Sequence, residues 1–202
     1  MAQYGFLFNQ SRCVGCNACT VACKDWNGVD IGPVRWRQAR FYEISDQLKT
    51  VVMGCNHCAE PACMAECPFD AISKDEATGM VTIDRDKCES CGTCLEVCPF
   101  HMSQIADDVQ EPEQKESWIM PHPAQKCTMC PDRLADGLVP VCVAGCPTRA
   151  LKFGDMQELM KEPGAVQMNM KDYPYVYDNA PTETKPSLVI IPKHDVKVTK
   201  LK

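Results

Sequence analysis

Short apolar stretches separated by turn residues run the length of this chain, and no run of 18 apolar residues occurs. Tyr4–Phe8 reads as a strand, and residues 16–26 (CNACTVACKDW) suit a short helix. Over residues 30–53, Trp36, Phe41, Tyr42, Ile44, Val51 and Val52 supply the apolar positions of a strand pair. Ala71–Ser73 and Met80–Ile83 predict two strands joined by a turn that ends at Gly79. Ala150–Gly154 (ALKFG) mirrors the first of these, residues 155–162 suit a short helix, and Leu188–Ile191 reads as a last strand. Residues 107–117 (DDVQEPEQKES) predict an exposed connector. The C-terminal segment PSLVIIPKHDVKVTKLK, basic at its end, predicts an arm packed on a neighbouring surface. The mixture predicts an α+β fold, in one domain or two small ones.

Composition changes this picture at once. The 202 residues contain sixteen cysteines, all of them in four runs. These are Cys13, Cys16, Cys19, Cys23; Cys55, Cys58, Cys63, Cys67; Cys88, Cys91, Cys94, Cys98; and Cys127, Cys130, Cys142, Cys146. The first and third read C-x2-C-x2-C-x3-C, the bacterial ferredoxin spacing for cubane iron–sulfur clusters. At four thiolates per cluster, the inventory makes four [4Fe–4S] centres with no cysteine left over. Proline follows the last cysteine of three runs (Pro68, Pro99, Pro147), where it ends a helix and redirects the backbone toward a strand. A disulfide scaffold is the first rival, but it rarely repeats one tight four-cysteine pattern. Zinc is the second, because paired C-x2-C is also zinc-ribbon spacing. Ribbon pairs, however, are separated by longer loops than those of the first and third runs.

In two-cluster ferredoxins the fourth cysteine of each run ligates the other cluster. The adjacent second and third runs then give Cys55, Cys58, Cys63 with Cys98, and Cys67 with Cys88, Cys91, Cys94. The first and fourth runs give Cys13, Cys16, Cys19 with Cys146, and Cys23 with Cys127, Cys130, Cys142. One ferredoxin-like unit is thereby nested in another. The expected divisions are an outer unit (1–29 and 121–155), an inserted strand pair (30–53), an inner unit (54–106), a connector (107–120) and a C-terminal arm (156–202). A polypeptide this short has limited apolar surface to bury, and little stable fold is expected without metal. The formal charge of −6 counts cysteines as neutral. Each oxidised cubane carries +2 on its core and −4 from its thiolates, which takes the chain to about −14. That balance argues against nucleic acid as a partner. The first ten residues show no basic, apolar or twin-arginine signal, so neither a secretory leader nor a membrane span is expected.

Arg12, Lys87 and Lys126 each precede the first cysteine of a run. They read first as solvated charges and second as cations that raise nearby cluster potentials. His57 lies inside a run whose cysteines already suffice, so it reads as a group beside the cluster or on the surface, not a ligand. His101, His122 and His194 share no metal spacing, and Met53, Met64, Met102 and Met129 read as gap-filling core residues. There is no Ser/His/Asp arrangement, P-loop or G-x-G-x-x-G, so no substrate chemistry is expected of this chain alone.

The order of the runs, with x4 inside the second and x11 inside the fourth, resembles the iron–sulfur electron-transfer subunit of the dimethyl sulfoxide reductase family. YGF before the first run, ACKDW at its end, CNHCAEPAC, VTID and the R-x-A-x-G-x3-P-x-C of the fourth run extend the likeness over residues 4–155, with PSLVIIP beyond. The resemblance implies a non-catalytic relay between a catalytic subunit holding a molybdenum or tungsten bis-pterin guanine dinucleotide and a membrane anchor that exchanges electrons with a quinol. It implies that the outer unit faces the catalytic subunit and the inner unit the anchor. The chain would then lie peripheral to the cytoplasmic membrane through its partners, or be exported with a catalytic subunit bearing a twin-arginine signal. A free-standing polyferredoxin in the cytoplasm is the alternative. Nitrate reductase-type relatives have tryptophan at the position of Cys91 and a three-iron centre, so cysteine here implies four cubanes.

Overall fold

A computed structural model describes residues 2–44, 47–168 and 183–193. In chain order the elements are β1 (Tyr4–Asn9), α1 (Ala18–Trp26), β2 (Arg37–Ile44), β3 (Gln47–Gly54), α2 (Ala62–Ala65), β4 (Ile72–Lys74), β5 (Val81–Ile83), α3 (Thr93–Glu96), α4 (Pro131–Ala135), α5 (Val141–Ala144), β6 (Leu151–Asp155), α6 (Met156–Leu159), β7 (Val166–Gln167) and β8 (Leu188–Ile191). The fold is α+β, with ferredoxin-like character over the cysteine-bearing segments. Among the described residues no helix is long and apolar enough to cross a membrane.

The strands form a four-stranded sheet, β6-β1-β8-β7, and two separate hairpins, β2-β3 and β4-β5. In β1 the consecutive residues Phe6, Leu7 and Phe8 are all buried, as a strand covered on both faces requires. Phe6 and Phe8, with Leu151, Leu188 and Ile190, face a core that includes Cys19, Cys127 and Cys142. Leu7 and Val189 point the other way, onto Met156 and Leu159 of α6. The sheet is therefore a wall, with cysteine-bearing loops on one side and one short helix on the other.

Two elements differ from their sequence-based expectation. Leu188–Ile191 is the strand its sequence predicts, but it is built into the sheet and is not part of an arm laid on a neighbour. It pairs parallel to β1, Phe6 opposite Leu188 and Phe8 opposite Ile190, and antiparallel to β7. Its unbroken LVII run suits a parallel strand buried on both faces better than an exposed arm. In the connector, Gln110 is buried, although its neighbours Asp107, Asp108 and Val109 are exposed. Its side chain accepts from the Val34 N–H at 2.8 Å and donates to the Asp30 and Val34 carbonyls at 2.8 and 3.0 Å. One amide thus satisfies backbone groups that have no ladder partner. His194 and the basic tail beyond it lie outside the described residues.

Gly5 and Gly154 face each other across β1 and β6, yet their surroundings differ. A Cβ at Gly5 would come within 2.4 Å of Met156 Sδ and 2.5 Å of the Ser187 carbonyl oxygen, whereas one at Gly154 would meet only Leu159 at 3.9 Å. Gly5→Ala should therefore push β8 from the sheet and cost about 1–3 kcal/mol. Gly154→Ala should be nearly neutral. Thermal midpoints of the two iron-loaded variants against the parent check this, and equal midpoints would refute the tight β1–β8 approach.

Candidate iron–sulfur sites

The four cysteine runs share one backbone device. The residue before the second cysteine of each run is left-handed: Gly15 (φ 69°), His57 (φ 39°), Ser90 (φ 52°) and Met129 (φ 66°). A single left-handed residue bends the chain sharply, so successive thiols gather instead of alternating. Only Gly15 adopts it freely, and such a conformation costs a non-glycine residue on the order of 1 kcal/mol or more. A second left-handed residue stands three places beyond the last cysteine of three runs, two after its proline: Asp70 (φ 49°), His101 (φ 52°) and Arg149 (φ 52°). That bend aims the next N–H back at sulfur. Met102 N–H donates to Cys98 Sγ at 3.4 Å and Ala150 N–H to Cys146 Sγ at 3.2 Å. Ala124 N–H and Met129 N–H reach Cys88 Sγ and Cys127 Sγ, each at 3.4 Å.

Three cavities are each lined by four cysteines. Cys55, Cys58, Cys63 and Cys98 line one. Cys67, Cys88, Cys91 and Cys94 line the second. Cys13, Cys16, Cys19 and Cys146 line the third. The remaining four are mutually close, with Cys23 in the electrostatic field of Cys127, Cys142 and Cys130. The groups also adjoin one another. Cys19 feels Cys142, Cys127 feels Cys55, and Cys63 feels Cys94.

These donor sets suit a polynuclear core better than either rival. None of the sixteen cysteines forms a disulfide. Among the described residues no three His, Cys, Asp or Glu side chains converge on a point where a single ion would sit. Zinc needs its sulfurs about 2.3 Å from one centre, whereas these thiols surround a space. Burial pushes Cys19 and Cys94 up to about 11, and Cys63 and Cys127 to about 12. Cys23 and Cys58 are raised further by the same cause. Cys146 is lowered, because N–H donors from Ala150 and Leu151, with Thr148, outweigh its burial. Thiols held protonated by burial bind a cationic core as thiolates, so binding releases their protons to solvent.

The polar groups near the cavities were only partly legible. Arg12 and Lys87 are exposed, as solvated charges should be. Lys126 is not: it is 3% exposed, with Nζ bonded to the Val81 carbonyl and, at 3.4 Å, to that of Cys127. Interior carbonyls supply the acceptors that let an ammonium leave water. His57 is wholly buried and lines the Cys55 cavity. Its Nδ1 accepts the Val81 N–H at 2.9 Å, so the neutral ring carries its proton on Nε2. Burial first, then Lys126 and Arg37, hold its pKa well below the ordinary histidine value. Thr184 and Arg37, both buried beside cysteines, carry no sequence signal, since neither belongs to a cysteine run. His101 is exposed, and His122 bonds Asp108 at 2.9 Å and Gln114 at 3.1 Å. Met53, Met102 and Met129 are buried, whereas Met64 is exposed.

Comparison with known proteins agrees with this chemistry. Residues 47–156 match the family described as the 4Fe-4S dicluster domain. The protein is similar to the B polypeptide of the anaerobic dimethyl sulfoxide reductase of Escherichia coli K12, 34% identical over 98% of this sequence and 92% of that one. It is 40% identical to the thiosulfate reductase electron transfer subunit PhsB of Salmonella typhi, over 77% of this sequence and 78% of the relative. It is 34% identical to the formate dehydrogenase iron-sulfur subunit of Haemophilus influenzae over 76% of this sequence, which spans about half (52%) of that longer protein.

Four thiol groups of this kind predict about 16 iron and 16 acid-labile sulfide per polypeptide after anaerobic purification. Iron, sulfide and zinc analysis checks the number, and stoichiometric zinc without sulfide would end the cluster reading.

Proposed function

This protein belongs to the family of iron–sulfur electron-transfer subunits of dimethyl sulfoxide reductase-type molybdoenzyme complexes, and from that membership we propose that it is a four-centre electron relay with no substrate chemistry of its own. The proposed ligand sets are Cys13, Cys16, Cys19 and Cys146; Cys23, Cys127, Cys130 and Cys142; Cys55, Cys58, Cys63 and Cys98; and Cys67, Cys88, Cys91 and Cys94. Bound there, four [4Fe–4S] clusters supply one-electron oxidation and reduction. The cysteines hold them, the backbone N–H groups at Cys88, Cys98, Cys127 and Cys146 donate to sulfur, and the surrounding core keeps water from the middle of the series.

The observation that carries this reading is the exposure of the thiols along the series. Of the sixteen cysteines only Cys16 and Cys91 are exposed, and they belong to the two terminal groups. All four thiols of the Cys23 group are buried. A relay needs open ends and a closed middle. The same grouping supports two nested ferredoxin-like units. β1 and β6 bracket the outer one, and the β4-β5 hairpin lies between the two runs of the inner one.

The Cys16 end carries exposed apolar side chains. Val14, beside Gly15, and Phe41, whose ring lies within 2.5 Å of where a Gly15 Cβ would stand, are exposed there, with Val21 on α1. A freely diffusing carrier gains nothing from such a surface, whereas a subunit fixed to a larger partner buries it. By analogy with the family we assign this end to a molybdopterin-containing catalytic subunit and the Cys91 end to a membrane anchor or another redox partner. The protein would then sit peripheral to the membrane through those partners.

Native affinity purification should recover a large pterin-containing subunit, and this protein alone should not turn over sulfoxide, thiosulfate or formate. Turnover by the isolated subunit would contradict the relay. Ligand crossing is tested separately. Cys98→Ser should perturb the centre that Cys58→Ser perturbs, in EPR of the reduced complex, and not the one that Cys91→Ser perturbs. The opposite pattern would reject the nested units.

A further inference from the structure

Among the described residues Arg37 is the largest fully buried side chain, 2% exposed. It opens β2 opposite Gly54, the residue before Cys55. A Cβ on Gly54 would lie 2.8 Å from the Trp36 carbonyl oxygen and 3.3 Å from the Arg37 Cζ, so the guanidinium packs closely on the backbone that leads into the second run. Its Cζ lies 4.2 Å from the centroid of the Phe6 ring, which fixes its plane. Its Nε and Nη2 have no hydrogen-bond partner. A buried guanidinium without an anion is among the least tolerable groups in a protein interior. The acidic groups that act on it most strongly are all cysteines: Cys142, Cys127, Cys19 and Cys23. Three of these belong to one thiol group and Cys19 to the next.

We propose that Arg37 is a built-in redox-tuning charge. Its free Nε–H and Nη2–H donate to sulfur at the site formed by Cys23, Cys127, Cys130 and Cys142, and its positive charge raises that centre's midpoint potential. The proposal rests on the ligand grouping above. Its physical basis is the arithmetic of charge. Reduction adds one electron to a site that already carries net negative charge, next to another such site at Cys19. A cation fixed in a low-dielectric interior favours the reduced form there more than an exposed cation can, because solvent and salt do not screen it. Lys126, the other buried cation, places its Nζ on the Val81 and Cys127 carbonyls, whereas two of Arg37's nitrogens find no partner in the protein.

The test is an EPR-monitored redox titration of the intact complex, with iron content measured on the same samples. In Arg37→Met the ratio of reduced to oxidised forms of one centre, at fixed ambient potential, should fall about tenfold, about 59 mV for a one-electron couple. Arg37→Lys should restore most of that ratio, and Arg12→Gln, which removes an exposed charge, should change it far less. The affected centre should be the one that Cys130→Ser perturbs. Unchanged midpoints in a fully iron-loaded Arg37→Met complex would overturn the proposal. If that variant loses iron, Arg37→Gln decides by the same criterion, since it keeps a polar side chain and removes only the charge. A shift in the centre that Cys98→Ser perturbs would overturn the assignment of Arg37 to the Cys23 group. Fewer than four centres in the unsubstituted complex would overturn the ligand grouping itself, before any variant is compared.

Discussion

A thiolate cannot stay buried without positive charge beside it, and this constraint organises the molecule. Burial, reinforced by neighbouring thiols, pushes Cys19, Cys23, Cys58, Cys63, Cys94 and Cys127 far toward the protonated form. Yet these residues are the interior: Cys19, Cys127 and Cys142 pack in one cluster with Phe6, Phe8, Met53 and Phe100. A chain of this size would ordinarily close its core with hydrocarbon alone. Here the groups that bind the cofactor are also the groups that pack, so metal binding and folding draw on the same free energy.

The backbone adapts to that demand by repeating one solution. Ser90, His57 and Met129 accept left-handed geometry in loops where Gly15 needs no such concession. In a small domain with a few kcal/mol of net stability, three such residues persist only if the bound state over-determines them. The N–H groups turned toward Cys98 and Cys146 follow from the second set of left-handed residues, His101 and Arg149. Left-handed residues thus both gather the thiols and aim donors at them.

What could be read from residue order alone was what depends on local spacing. The cysteine runs, β1, α1, the β4-β5 hairpin and the prolines after Cys67, Cys98 and Cys146 all carry short-range signals. What escaped depends on contacts distant in sequence. Leu188–Ile191 announces a strand but not a partner, and its partner is at the other end of the sequence. Lys126 and Arg37 look like solvent-facing charges, because nothing within a few residues of either reveals the carbonyls, ring or sulfurs that receive it. Gln110 sits in a polar stretch whose neighbours are exposed, and only the unpaired backbone at Asp30 and Val34 explains its burial.

The lateness of β8 has a consequence for biosynthesis. Ser187 Oγ donates to the His57 carbonyl at 2.9 Å and accepts from Gln3 Nε2 at 2.9 Å across a separation of 184 residues, while Thr184 lines the Cys55 cavity. During translation the cysteines of that cavity emerge long before the segment that shuts it. The thiols of the nascent polypeptide therefore stay open to solvent until that segment is made. Arrival of residues 184–191 then closes the cavity like a stopper pressed in last.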